Sequence, residues 1–377
     1  MKIGLILENL DPRRGGVEQW TCEFARALLS LDHEVHVVAG HFGPARPEGI
    51  VRHVVETGRS RCDMAAAAER ALRRLDLDVI HDMGVGWHSD VFQPHGGSRR
   101  AAFERNLALT PRWQRGLKRH LAGLLPRYRD FDRLIARQYA DDGRLFLALS
   151  KMVADHFRSL HDVPDDQIRL VYNGVDTERF SPCRCRAFRK PTRAALGLTD
   201  EVLLLIVAHN YRLKGVPTLC RAAGRLARDG ANVRVAVVGG KRQATTTRQK
   251  GGLVQYLGPV EDATPYYAAA DVYVHPTFYD PCSLVVLEAL ACGLPVVTSR
   301  YNGAGELITS GREGHVIDDP ADARELAESL VPLLDAPWRA TMGAAARRLA
   351  EQHTIQYNCH QVLDVYREID SSARRAA

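Results

Sequence analysis

Short, solidly apolar runs alternate with helical patterns along this chain, and the alternation starts afresh halfway through. Residues 2–7, 34–39, 78–81, 146–150 and 168–172 read as strands, with helical periodicity at 17–31, 63–75 and 151–160 between them. Strands that are apolar on both faces must be covered on both faces, which is the mark of a parallel sheet between helical layers. A second series follows: strand-like runs at 202–208, 234–238, 254–257, 272–275 and 295–298, with helices at 216–228, at 264–270 and after Ser283. The expectation is an α/β fold of two doubly wound, Rossmann-like domains facing each other across a cleft. The first would span 1–180 and the second 196–353, and a last helix at 354–372 lies beyond the second series. Between them SPCRCRAFRKPTRAA (181–195), basic and punctuated by proline, reads as a linker. A chain of 377 residues is long enough for both cores.

The stretch YDPCSLVVLEALACGLPVV (279–297) carries the most chemistry. Asp280 and Glu288 are eight residues apart. Pro281 leads into a helix that Ser283 can cap, Gly293 ends it, and Val296-Val297 begins the next strand. One carboxylate therefore precedes a helix start and the other lies about 7 Å deeper, at ~1.5 Å per residue. Between them, near Cys282, Ser283 and Leu284, free first-turn amides favour an anion. A ligand presenting diol, diphosphate and diol in a row fits; a nucleoside diphosphate sugar is one. The bland alternative is a capped helix with Glu288 as a surface charge.

This block resembles the acidic-x7-acidic signature of the GT-B glycosyltransferases, specifically the large retaining family 4. The segments GGVE (15–18), VYNGVDTERF (171–180), RLKG (212–215) and VVGG (237–240) extend the resemblance over most of the chain. Within the family the chain is most similar to enzymes of lipopolysaccharide core assembly. The resemblance implies that Glu288 holds the donor ribose and that Asp280, in place of a more usual Glu, faces the sugar hydroxyls. It also implies that Arg212 and Lys214 neutralise the diphosphate, that His95 lines the donor-sugar pocket, and that the last helix crosses back to the first domain. The donor would be a UDP-hexose. The acceptor would be a glycan or a lipid-linked molecule of cell-envelope biosynthesis. A nucleotide-sugar epimerase and a non-catalytic nucleotide-sugar-binding protein are the alternatives.

The residues support several of these roles independently. Arg212 and Lys214 lie between a strand end and a helix, where a planar guanidinium and a point charge suit a pyrophosphate. Gly15-Gly16 follows the first strand, where backbone can approach a ligand closely, and Glu18 either caps the helix there or meets substrate. The spacing is not G-x-G-x-x-G, so a nicotinamide or flavin is poorly supported. His95 precedes two glycines and can bond a sugar hydroxyl or act as an acid or base. Asn173 opens an Asn-Gly turn that is as readily structural as ligand-binding. Asn210, Tyr211 and Lys241 are loop positions from which donor specificity would come.

Metal and cofactor are not expected. Asp76/Asp78 and Asp130/Asp132 match D-x-D, but neither lies near the proposed phosphate site, and fixed cations can supply the electrostatics. Eight scattered cysteines form no zinc pattern and fit a reduced cytoplasmic setting. The N-terminal apolar run is too short for a signal peptide, and no run approaches ~20 apolar residues. The net charge of +6 concentrates at 99–137, where eleven Arg/Lys residues meet three acids and interleaved Trp113, Leu117, Leu121 and Phe131. Such a stretch can lie on an anionic membrane. A solvated helical face is the alternative, and nucleic acid lacks any accompanying motif.

Overall fold

The structure, a computed structural model, describes residues 1–240 and 252–376. Two compact units emerge. One comprises Met1–Tyr172 together with the chain from Ile355 onward; the other is Asn173–Thr354.

The first unit holds β1 (Lys2–Ile6), β2 (Asn9–Leu10), β3 (Glu34–Ala39), β4 (His41–Phe42), β5 (Val51–Val54), β6 (Val79–Asp82), β7 (Val91–Phe92), β8 (Leu145–Ala148) and β9 (Ile168–Leu170). Seven of these form one parallel sheet in the order β5-β3-β1-β6-β7-β8-β9, while β2 and β4 pair apart from it. The register Ile3↔Val35 and Ile3↔Val79 stacks buried aliphatics across the centre. The order reverses between β1 and β6, the switch point at whose strand C-termini such sheets bind ligands. The helix Ile355–Ala376 belongs to this unit. Its Tyr366 hydroxyl meets His81 Nδ1 at 2.6 Å, and Asn358 accepts from Trp20 Nε1 at 3.0 Å.

The second unit carries β10 (Val202–Val207), β11 (Val233–Val238), β12 (Val254–Gly258), β13 (Val272–His275), β14 (Val296–Ser299) and β15 (Gly314–Ile317). They form a parallel sheet in the order β12-β11-β10-β13-β14-β15. On one face Leu204, Ile206, Val235, Val272 and Val297 pack against Leu219 and Leu226 of one helix and Leu326 of another, and on the other face Leu203, Leu205 and Val296 are also buried. The switch point here is between β10 and β13.

The units meet the sequence-based boundaries with two corrections. The division falls at 172/173 rather than 180, so the Asn-Gly turn belongs to the second unit. Residues 181–195 are not a linker. They form most of the helix Pro182–Leu196, capped by the Ser181 side chain and ended by Gly197 in the left-handed region. Proline at the first helical position is compatible with a helix. The basic residues are four apart, and both Arg189 (2.6 Å) and Arg193 (2.9 Å) bind the Asp271 carboxylate. Composition suggested a loop; a single half-buried acid 82 and 78 residues away from the two arginines ties the helix down.

Burial at the first unit's switch point has a consequence for pH. His81 and His95 are buried, which pushes both imidazoles down to about 3. Burial also pushes the Asp82 carboxyl up to about 6, against hydrogen bonds from the Val85 and Gly84 amides. The histidines fold neutral, so their contribution is complete above pH 6.5 and is lost as pH falls toward 3. Asp82 folds protonated, so its contribution is complete below 3.8 and is lost as pH rises through 6. Each histidine lowers stability as pH drops below 6.5, and Asp82 returns part of that loss below 6. Burial also holds His161 of this unit down, to about 4, so the unfolding free energy should fall as pH drops from 6.5 and keep falling below pH 6. Denaturant titrations at fixed pH values check this, and His95→Gln should flatten the slope below pH 6.

Candidate functional site

The second unit's site grows from the loops at the C-terminal ends of β10 and β13. After β10 the chain turns tightly: Asn210 Oδ1 accepts from the Leu213 amide (3.1 Å) and the Asn210 carbonyl from the Lys214 amide (2.9 Å). Gly215 ends the turn at φ 75°, and a Cβ there would lie 2.1 Å from the Pro276 carbonyl oxygen. Only glycine lets the two loops close to this distance. They are then joined by Phe278 N donating to the Leu213 carbonyl (2.8 Å) and by the Thr277 hydroxyl donating to the same oxygen (3.2 Å).

This closure brings Lys214 onto Asp280. Nζ donates to Asp280 Oδ2 at 2.6 Å and to the Tyr279 carbonyl at 3.4 Å. His275, buried at the end of β13, places Nε2 3.5 Å from the same carboxylate oxygen. Burial disfavours the Asp280 charge, but Lys214 and the His275 contact outweigh it and hold the carboxyl well below the usual range. Burial in turn holds the His275 imidazole down. The pair is an ionised Asp⁻/Lys⁺ with a neutral histidine behind it. An ammonium has three donors; among the described residues two are accounted for, which leaves one for an incoming anion. Arg212 is exposed on the same turn.

Asp280 leads into the helix Leu284–Ala291. The expected Ser283 cap is absent: its hydroxyl bonds no first-turn amide and is buried without a hydrogen-bond partner. The reason lies on a neighbouring loop. Asn302 Oδ1 accepts from the Ser283 amide (3.2 Å), Asp280 N donates to Tyr301 O (2.9 Å), and Gly303 N donates to Asp280 O (2.9 Å). That loop fixes the backbone entering the helix. The Leu284 and Val285 amides have no acceptor among the described residues, so the helix start presents uncompensated donors. Asn173 Nδ2 braces the other side by donating to the Cys282 carbonyl (2.8 Å), while its Oδ1 is buried without a partner. Cys282 is buried, and burial pushes its thiol up; it serves through its backbone.

Glu288 lies inside this helix, only 7% exposed. The Tyr267 hydroxyl donates to its Oε2 at 2.8 Å. Burial and then the Glu288 charge push the Tyr267 hydroxyl far above its ordinary range, so the proton stays on tyrosine and the carboxylate is oriented. Asp280, the helix-start amides and Glu288 thus follow one another along a single loop–helix segment.

The remaining sequence-predicted positions belong to the first unit. Gly15 precedes the helix Gly16–Ser30; its φ of 177° is ordinary extended backbone, and having no side chain it offers no cap, while the Glu18 carboxyl meets its own backbone amide in the first turn. Burial pushes the Glu18 carboxyl up. His95 packs against Trp20 at 4.6 Å between ring centroids, with Nε2 buried and unpartnered. At neutral pH it is an uncharged imidazole that can share a hydrogen bond but carries no spare proton. Lys241 lies outside the described residues.

Sequence reasoning missed His275, Tyr267 and Asn302. His275 had a signal: it is the last residue of a central strand adjoining the switch point. The other two reach the site from 21 and 19 residues away and carry no local pattern.

Known proteins resemble the chain along most of its length. Residues 14–179 match the profile "Glycosyltransferase Family 4" and residues 201–336 the profile "Glycosyl transferases group 1". A GDP-mannose-dependent alpha-(1-6)-phosphatidylinositol monomannoside mannosyltransferase of Mycolicibacterium smegmatis is 26% identical over 371 residues, 92% of this chain and 93% of that protein. A D-inositol 3-phosphate glycosyltransferase of Saccharomonospora viridis is 31% identical over 243 residues, 59% of this chain and 55% of that one. Among solved structures, WaaG, a glycosyltransferase involved in lipopolysaccharide biosynthesis, superposes with a TM-score of 0.80 at 19% identity, over 97% of this chain and 99% of that one. Anabaena HepE in complex with UDP-glucose gives 0.72 at 19% identity, over 98% and 100%. These structural likenesses establish the two-unit GT-B fold.

Proposed function

The chain belongs to the family 4 glycosyltransferases, and from that premise we propose that it moves a hexose from a nucleoside diphosphate sugar to an envelope glycan or lipid-linked acceptor, with retention at the anomeric carbon. The observation that carries this reading is the single line formed by the Lys214–Asp280 pair, the unpaired helix-start amides and buried Glu288. Their spacing matches sugar, diphosphate and ribose. Glu288 binds the ribose diol. Lys214, Arg212 and the Leu284 and Val285 amides take the diphosphate, whose negative charge grows as the glycosidic bond breaks. Asp280 orients the sugar hydroxyls. No protein nucleophile is assigned; the departing phosphate oxygen takes the acceptor's proton. In the first unit Gly15, Gly16 and Glu18 lie on the acceptor side, and neutral His95 bonds a sugar hydroxyl.

UDP-hexose is the first donor reading. GDP-mannose is the second, favoured by the full-length mannosyltransferase relative. Incubation of the protein with UDP-glucose and with GDP-mannose, scoring sugar transfer to phosphoinositide and to lipopolysaccharide-core acceptors, tests both. Nucleotide release with no transfer to any acceptor would contradict the proposal.

Transfer should not require a divalent metal. Three of the four D-x-D carboxylates are engaged elsewhere: Asp76 binds Lys2 Nζ (2.9 Å), Asp78 accepts from the Lys2 amide (2.6 Å), and Asp130 accepts from the Arg61 amide (3.2 Å). Turnover in excess chelator should equal turnover in magnesium. Loss in chelator, restored by magnesium or manganese, would refute this.

No helix among the described residues is long and apolar enough to cross a membrane. Attachment is proposed instead through 99–137, which form the helices Arg99–Ala108, Arg112–Leu124 and Pro126–Gln138. On the middle helix Trp113, Leu117 and Leu121 recur at four-residue spacing and are exposed, Trp113 by 79%. Arg115, Lys118 and Arg119 are tied back to the preceding helix and its C-terminal turn, so that the apolar stripe faces outward flanked by cations. The protein should sediment with anionic vesicles at low salt and release as salt rises. Persistence in the supernatant with such vesicles would count against attachment.

A further inference from the structure

The first unit contains a cavity of ≈ 550 Å³ between the helices Arg99–Ala108 and Pro126–Gln138. Its volume is that of a small-molecule site. One wall is aromatic: Phe103 and Tyr128 meet edge to face at 5.4 Å between centroids, Phe131 follows at 6.3 Å from Tyr128, and Ile135 and Tyr139 extend the surface inward. The lining also carries Arg99, Arg100 and Arg119, against one carboxylate, Asp132; Arg119 is paired with Glu104 and Arg99 lies against the aromatic wall.

Arg99 gives the cavity its chemistry. Its guanidinium stands 5.2 Å from the Phe131 ring centroid, and that of Arg61 stands 5.4 Å from the same ring. Its Nη2 donates to the Gly84 carbonyl at 3.3 Å. Among the described residues no carboxylate forms an ion pair with Arg99; Glu8 and Asp82 attract it only from farther away. Burial, and then repulsion from Arg61, pull its pKa down to about 10. Two guanidiniums on one ring, one of them recessed and without a counter-ion, are costly unless an anion completes the set.

We propose that this cavity binds the phosphate of an anionic lipid acceptor, with Arg99 and Arg100 on the phosphate and the acyl or prenyl chain lying along Phe103, Tyr128 and Phe131. The proposal rests on the glycosyltransferase reading above and specifies its acceptor class. A free sugar or polyol phosphate would satisfy the arginines but leave the aromatic wall exposed to water; a lipid phosphate satisfies both. Arg119, which lines the cavity, stands on the helix whose Trp113, Leu117 and Leu121 face outward, so a chain leaving the cavity emerges beside the proposed bilayer contact.

The test is calorimetric titration of the full chain with monododecyl phosphate below its micelle concentration, against inorganic phosphate, inositol phosphate and neutral dodecyl maltoside. Monododecyl phosphate should bind at least ~10-fold more tightly than each of the three, and Arg99→Gln should weaken it by a further ~10-fold or more, the scale of one charge-assisted hydrogen bond. Arg99→Lys should recover part of the loss, and Phe131→Ser should weaken the alkyl phosphate while sparing inorganic phosphate. Nucleotide-sugar binding, measured on the same samples, should be unchanged, since none of these residues belongs to the donor site. Equal binding by wild type and Arg99→Gln, or inositol phosphate binding as tightly as the alkyl phosphate, would overturn the proposal. Failure of the wild type to bind any nucleotide sugar would instead strike the donor reading.

Discussion

Lys214→Ala should lower turnover by about a hundred- to a thousandfold, the usual loss when one fixed donor to a developing anion is removed. The structure gives this substitution two separable consequences. The catalytic one is loss of a cation from the diphosphate, whose charge grows only as the bond to the sugar breaks; turnover should fall more than the Michaelis constant rises. The structural one is that Asp280, half-buried and ionised against Lys214 at 2.6 Å, loses its counter-charge. Leaving that carboxylate unpaired is destabilising, so the unfolding midpoint should also drop. The double variant Lys214→Met/Asp280→Asn, which removes both charges, should regain stability without regaining turnover. A Michaelis constant that rises with turnover untouched would assign Lys214 to ground-state binding alone.

Glu288→Gln should weaken nucleoside diphosphate binding by roughly 10- to 100-fold, because a charged acceptor bonding a diol is replaced by an amide that can meet it only in part. The change keeps the shape of the side chain and its contact with the Tyr267 hydroxyl, so the helix should remain in place. Inorganic pyrophosphate, which has no ribose, should bind wild type and variant alike. That contrast separates a ribose contact from a general loss of the site. Unchanged affinity for UDP and GDP in the variant would remove Glu288 from the ribose role.

The two sheets were legible because their strands are buried on both faces. Runs such as VLLLIV at β10 and VRVAVV at β11 can be nothing but central parallel strands once helices stand between them. The placement of Asp280 before a helix and of Glu288 inside it was legible for a related reason: it is local, set by one loop and one helix. What could not be read depends on contacts distant in sequence. Lys214 and Asp280 are 66 residues apart and pair only because Gly215 lets the loops after β10 and β13 touch. The misread cap has the same origin. Ser283 has the right residue type and position, but Asn302, nineteen residues on, holds its amide and redirects the backbone. The helix Pro182–Leu196 was hidden by its prolines and charges, since the Asp271 that anchors Arg189 and Arg193 lies in another element.

The most direct test of the central claim is thermal unfolding of the wild-type chain and of Glu288→Gln across a panel of UDP- and GDP-hexoses. At about 100 times its dissociation constant, the true donor should add roughly 2.7 kcal/mol to the stability of the wild type. The same concentration should add markedly less to Glu288→Gln. A panel in which no nucleotide sugar raises the unfolding midpoint of the wild type, or in which the donor stabilises both proteins equally, would contradict the assignment of the Asp280–Glu288 segment as the donor site.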